Sequence, residues 1–150
     1  MVKVQSDMFA EAKRCYPFEA CGAILGKVGV EREAVEFVAL QNRQNEVHAK
    51  DPKRYPRDAK TAYTIDAREW QQLEQDAKAR GLKIISIFHS HPEHGVYFSA
   101  EDKEMAAPWG EPLFPDQSYI VVSVCSGEVK NASEFFWNDD KKDFIEKIML

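Results

Sequence analysis

His89-Ser90-His91-Pro92 is followed, after six intervening residues, by Ser99, and after two more by Asp102. Two imidazoles and a carboxylate can supply three zinc ligands and leave the fourth position open, as catalytic zinc requires. Alone, Ser-x-x-Asp is a helix-capping box, and His-x-His at a strand end is often incidental. Both motifs at one corner of the chain predict a metal site.

The neighbouring residues supply the corner. Leu82–Phe88 is short, apolar and β-branched behind the break at Gly81, which predicts a buried strand. His89 and His91 extend it at i and i+2, so both rings leave one face roughly 6–7 Å apart. Pro92 lacks the amide hydrogen that regular pairing needs. Residues 93–98 form a return loop, and Ser99 caps a helix with Asp102 at its third position, turned toward the histidines.

The pattern His-Ser-His-Pro, six residues, Ser, two residues, Asp resembles the signature of the JAMM (MPN-type) zinc metalloproteases. A second match lies about seventy residues upstream. There Tyr16-Pro17-Phe18-Glu19-Ala20-Cys21-Gly22-Ala23-Ile24-Leu25-Gly26 resembles the segment that carries the family's catalytic glutamate in small bacterial and archaeal members. The resemblance implies that His89, His91 and Asp102 bind Zn²⁺ and that water completes the site. It implies that Glu19 is the general base and Ser99 the donor to the substrate carbonyl oxygen. The chemistry is coherent, because bound zinc brings the pKa of water near 7 and polarises a carbonyl, while a carboxylate shuttles the proton.

The remaining elements read as follows. Ser6 caps a helix to about Cys15, Pro17 starts the turn that delivers Glu19, and Ala20–Leu25 is a strand closed by Gly26. After a turn at Gly29, Ala34–Leu40 is its hairpin partner. Residues 41–60 are polar, hold Pro52 and Pro56, and have no clear period, so they read as a long loop. Ala62–Ile65 is a short strand, and Asp66 caps a helix to about Arg80 with Trp70, Leu73 and Ala77 on its apolar face. The helix from Ser99 fades near Pro108, and residues 107–117 are irregular. Ser118–Val124 and Val129–Trp137 are strands turned at Ser126-Gly127. Residues 139–150 carry Phe144, Ile148 and Met149 at helical spacing, which predicts a C-terminal helix. The expected class is α+β, one domain over residues 1–150 with a mixed sheet flanked by helices. The family resemblance adds a cytidine-deaminase-like sandwich.

Composition narrows the partners. The chain has 150 residues, 44% of them hydrophobic, and a formal charge of −5 without a basic run. That balance argues against nucleic-acid and anionic-membrane surfaces. Cys15, Cys21 and Cys125 lack a disulfide spacing, which suits a reducing cytosol. No apolar run spans a bilayer and the start of the chain turns polar at once, so the expected location is cytoplasmic. His94 and His48 read as loop residues, Tyr97 and Phe98 as groove or core aromatics, and Arg54 and Tyr55 as candidates to grip a peptide tail.

The resemblance also implies a substrate. Small stand-alone relatives act on ubiquitin-like sulfur-carrier proteins, cutting after a C-terminal Gly-Gly that fits a narrow groove. The segment 107–117 is shorter than the insertions that hold ubiquitin in deubiquitinating members. A deubiquitinase-like or cell-wall-peptide activity, and a non-catalytic MPN scaffold, stay open as alternatives. Pairing as a homodimer is left open too. Two imidazoles and a carboxylate favour zinc but also suit cobalt, manganese and iron.

Overall fold

The computed structural model describes residues 2–29 and 31–150. Its elements are α1 (Val2–Cys15), β1 (Cys21–Val28), β2 (Arg32–Leu40), α2 (Gln44–Lys50), α3 (Ala67–Ala79), β3 (Lys83–Pro92), α4 (Ala100–Ala106), β4 (Ser118–Cys125), β5 (Glu128–Asn138) and β6 (Asp143–Ile148). The strands form one mixed sheet in the order β2-β1-β3-β4-β5-β6. Only β3 and β4 run parallel, with α4 in the connection between them. Every other neighbouring pair is antiparallel.

Helices cover both faces, so the central strands are buried on two sides. Val4, Met8 and Ala12 recur every four residues along α1 and pack on Ile24, Phe88, Ile120, Val122 and Ala132. On the other face Leu73 and Ala77 of α3 cover Ala23, Leu25 and Ile84. Beside them Phe98 and Ala106 cover Ile87, Tyr119, Val121 and Phe135. This second face carries the histidines.

Several boundaries differ from the sequence reading. The first helix begins at Val2 rather than Ser6, because Val4 supplies a further turn of the buried stripe. β1 runs through Gly26 instead of closing there. A Cβ at Gly26 would lie 2.3 Å from the Glu33 carbonyl oxygen, so this glycine permits close strand approach at a bulge. The expected loop 41–60 contains α2. The expected strand Ala62–Ile65 is not paired with the sheet, because the Asn42 side chain takes up the Ala62 carbonyl and the Thr64 amide and the Arg43 amide takes up the Thr64 carbonyl.

The expected C-terminal helix is strand β6. A turn in which the Asn138 side chain accepts from the Lys141 amide folds it back onto β5. Phe144 then reaches an aromatic cluster, with ring centroids 4.8 Å from Phe98 and 5.2 Å from Trp137. Ile148, expected to be buried, is 76% exposed.

Candidate metal centre

The histidines leave the C-terminal end of β3 from the face that also carries Ile87. Antiparallel pairing puts Cys21 opposite His89, and parallel pairing puts Val121 and Ser123 beside the two histidines. Pro92 is the last paired residue. Ser99 caps α4 by accepting from the Asp102 amide at 3.0 Å, while the Asp102 carboxylate accepts from the Ser99 amide at 3.1 Å. The expected capping box is therefore present, and it aims the second Asp102 function, its side-chain charge, at the strand end.

The three candidate ligands converge. His89 Nε2 lies 3.1 Å from His91 Nε2 and 3.3 Å from Asp102 Oδ2, and His91 Nε2 lies 4.0 Å from the same oxygen. Metal–ligand arms of 2.0–2.1 Å in a tetrahedron separate neighbouring ligand atoms by about 3.3 Å. The observed spacing fits. This group of His89, His91 and Asp102 could hold a metal ion.

The imidazoles are prepared for that role to different extents. His91 Nδ1 lies 3.0 Å from the Gly95 carbonyl oxygen, which can only accept. The proton therefore sits on Nδ1 and leaves the Nε2 lone pair free. His89 Nδ1 is buried without a protein partner. The Tyr63 ring stacks on His89 at 4.6 Å, and Tyr97 tilts onto His91 at 4.8 Å.

Burial, together with the neighbouring His89 charge, pushes the His91 pKa down to about 4. Burial acts the same way on His89, but the hydrogen bond and charge of Asp102 outweigh it and raise its pKa. For Asp102, burial opposes ionisation, yet the His89 interactions and the bonds to Ser99 hold it at about 2. Glu19 is buried nearby. Its carboxyl is pushed up to about 7, chiefly by burial, with the His89 charge opposing and Asp102 adding.

Glu19, His91, Ser99 and Asp102 share a cleft of about 640 Å³. Its far wall is the segment 54–64, which includes Arg54, Tyr55 and Tyr63, and Tyr97, Glu101 and Met105 complete the near side. An ion pair between Arg57 and Glu101 ties that wall to α4. The Glu19 amide donates to the Ala59 carbonyl in the wall at 2.7 Å. On the other side Ser90, the residue between the histidines, binds both backbone groups of Ala20, with its amide at 3.0 Å and its hydroxyl at 2.7 Å.

The structure thus brings together Glu19, His89, His91, Ser99 and Asp102. Arg54, Tyr55, His94 and Tyr97 also reach the cleft, whereas Phe98 is buried in the aromatic cluster. His48 lies outside it, with Nδ1 2.6 Å from the Tyr55 carbonyl. Cys21 is buried, and its thiol is pushed up to about 12 by burial, so it has no reactive character. Sequence reasoning missed Tyr63 and Ser90. Ser90 was within reach, since it sits between the ligands on the opposite face of the strand.

The chain belongs to the family of prokaryotic homologs of the JAB domain, whose model matches residues 1–139. The solution structure of a protein from Desulfitobacterium hafniense is 25% identical, with a TM-score of 0.71 over 99% of this chain and 88% of that one. A solution structure from Salinibacter ruber is 23% identical, with a TM-score of 0.67 over 98% and 86% of the two chains. A JAB1/MPN domain protein from Archaeoglobus fulgidus is 16% identical, with a TM-score of 0.43 over 95% and 89%. No curated protein gives a significant sequence match. No helix among the described residues is long and apolar enough to cross a membrane.

Proposed function

We propose that this protein is a zinc-dependent peptidase that hydrolyses the bond after the C-terminal Gly-Gly of a ubiquitin-like sulfur-carrier protein. The observation that carries the hydrolase reading is the convergence of His89, His91 and Asp102 within 4.0 Å, in a cleft shared with Glu19 and Ser99. When bound by those three side chains, zinc supplies Lewis acidity for water and for a carbonyl oxygen.

The chain's own residues divide the remaining work. Glu19, with a carboxyl poised near neutral pH, takes the proton from the attacking water and passes it to the leaving amine. Ser99 accepts the Asp102 amide through its oxygen. Its hydroxyl hydrogen also helps hold the Asp102 carboxylate ionised and turns from it to the substrate carbonyl oxygen. Capping the helix and stabilising an oxyanion are therefore compatible in one residue. Tyr63 and Tyr97 flank the imidazoles and narrow the approach, which suits a substrate without side chains next to the cut.

The test is intact-mass analysis of a sulfur carrier bearing a short extension after Gly-Gly, incubated with the zinc-loaded protein. Glu19→Gln and a chelated sample run alongside. Removal of the extension by the zinc-loaded wild type alone supports the reading. Zinc binding without cleavage redirects it to another peptide, such as a cell-wall peptide or a ubiquitin linkage. Neither metal nor cleavage leaves a scaffold.

A further inference from the structure

Outside the metal corner, Asn42 has an unusual set of partners. It lies between β2 and α2 and is half-buried. Its Nδ2 donates to the Glu19 carbonyl at 2.9 Å and to the Ala62 carbonyl at 3.1 Å. Its Oδ1 accepts from the Gln44 amide at 3.0 Å and the Thr64 amide at 3.1 Å. A carboxamide has two donors and two acceptor lone pairs, so the group is saturated. Both neighbours of Nδ2 can only accept and both neighbours of Oδ1 can only donate, which fixes the orientation of the amide.

The partners are not arbitrary. The Ala62 carbonyl and the Thr64 amide bracket Tyr63, whose ring covers the candidate ligand His89. The Glu19 carbonyl belongs to the same peptide unit as the Ala20 amide, which donates to Ser90 on the ligand strand. That peptide unit is held from the wall by Asn42 and from the metal strand by Ser90. We infer that Asn42 is a positioning residue that sets Glu19 in register with the Tyr63 wall and the metal corner. This rests on the reading of Glu19 as the base. Its substitution should misplace the carboxylate by a fraction of an ångström to an ångström, which can cost about 100-fold in rate.

Two substitutions separate this role from simple space-filling. Asn42→Ala removes all four bonds. Asn42→Asp is nearly isosteric and keeps both acceptor bonds, but it loses both donor bonds and sets a carboxylate against two carbonyls. Val4→Ala, in α1 on the opposite face, controls for general loss of stability. Amide hydrogen exchange on the full chain reads the geometry without substrate.

In both Asn42 variants the Glu19 amide should exchange at least about tenfold faster, by loosening of its neighbour peptide. The Thr64 amide should be freed in Asn42→Ala and kept in Asn42→Asp, and Val4→Ala should leave Glu19 protected. With a cleaved substrate, kcat should fall about 30- to 100-fold while KM and zinc affinity stay within about threefold. Wild-type Glu19 exchange in both variants, or unchanged kcat in a protein that cleaves, would overturn the inference. If the wild type cleaves nothing, the peptidase reading fails, and the exchange pattern alone decides whether Asn42 holds Glu19.

Discussion

Strand β3 carries a polar cluster at each end, and the two are built on opposite principles. Near its start, Ser86 lies 2.7 Å from Ser118 Oγ, both hydroxyls reach Glu134, and Arg32 donates to the pair at 3.2 and 3.0 Å. Donors there meet acceptors across four strands, and the Arg32 guanidinium also lies over Phe136. At the other end, two Nε2 atoms face each other and one carboxylate oxygen, and the buried His89 Nδ1 has no partner. The first cluster is complete and needs nothing. The second gathers lone pairs, a set that a cation completes.

That contrast can be broken in order of effect. Glu19→Gln should lower the cleavage rate by about 10³-fold or more, within the range for a lost general base, with zinc still bound. The rate follows from intact mass, and zinc retention from elemental analysis. A rate within tenfold of wild type would remove Glu19 from the chemistry.

Ser99→Ala comes next and splits two roles. Loss of the oxyanion donor should reduce kcat by about 100-fold. Loss of the cap should reduce stability by about 1 kcal/mol in urea unfolding. A stability loss with unchanged kcat would leave Ser99 as a cap alone.

At the complete cluster the sign reverses. Glu134→Ala leaves the Ser118 and Ser86 hydroxyls short of an acceptor, removes the charge that faces Arg32, and should lower stability by about 2 kcal/mol, with zinc affinity unchanged. A fall in zinc affinity of more than tenfold would mean that the two ends of β3 are not independent.

The smallest effect is a pH dependence of the metal-free protein. The His89 pKa is raised above its ordinary 6.5, because the Asp102 hydrogen bond and charge outweigh burial. Its contribution to stability is complete below pH 6.5 and is lost as pH rises through the higher folded value. Asp102 acts in the other window, contributing above its ordinary 3.8 and losing that contribution as pH falls through about 2. Urea midpoints without metal should therefore decline as pH rises past about 6.5, and zinc affinity should rise over the same interval as His89 releases its proton. Asp102→Asn should weaken that decline without abolishing it, because Glu19, pushed up to about 7, also loses stability as pH rises through that value.

The metal corner was legible because its information is local. A strand end, a loop and a capped helix occupy residues 82–102, and alternation along a strand places both histidines on one face. Glu19 was reached only through resemblance to a family segment, since nothing in its spacing predicts that it meets β3. Of the cleft wall only Arg54 and Tyr55 were picked out, and the way its backbone is held was not legible. Its backbone is held by Asn42, Gln44 and Asn45 through bonds to residues 13 to 22 positions away, which no hydrophobic period reports. The C-terminal strand was misread because Phe144, Ile148 and Met149 fit a helical stripe. Pairing with β5 and the aromatic site around Phe98 overrode that pattern.

The most direct test is zinc stoichiometry and affinity of the purified protein by elemental analysis and competition titration, beside His89→Ala and Asp102→Ala. One zinc per chain in the wild type is expected, with affinity reduced more than about 100-fold in each variant, beyond what loss of an outer-shell contact costs. A wild type that binds no zinc, or variants that bind it as tightly, would contradict a metal centre at the end of β3.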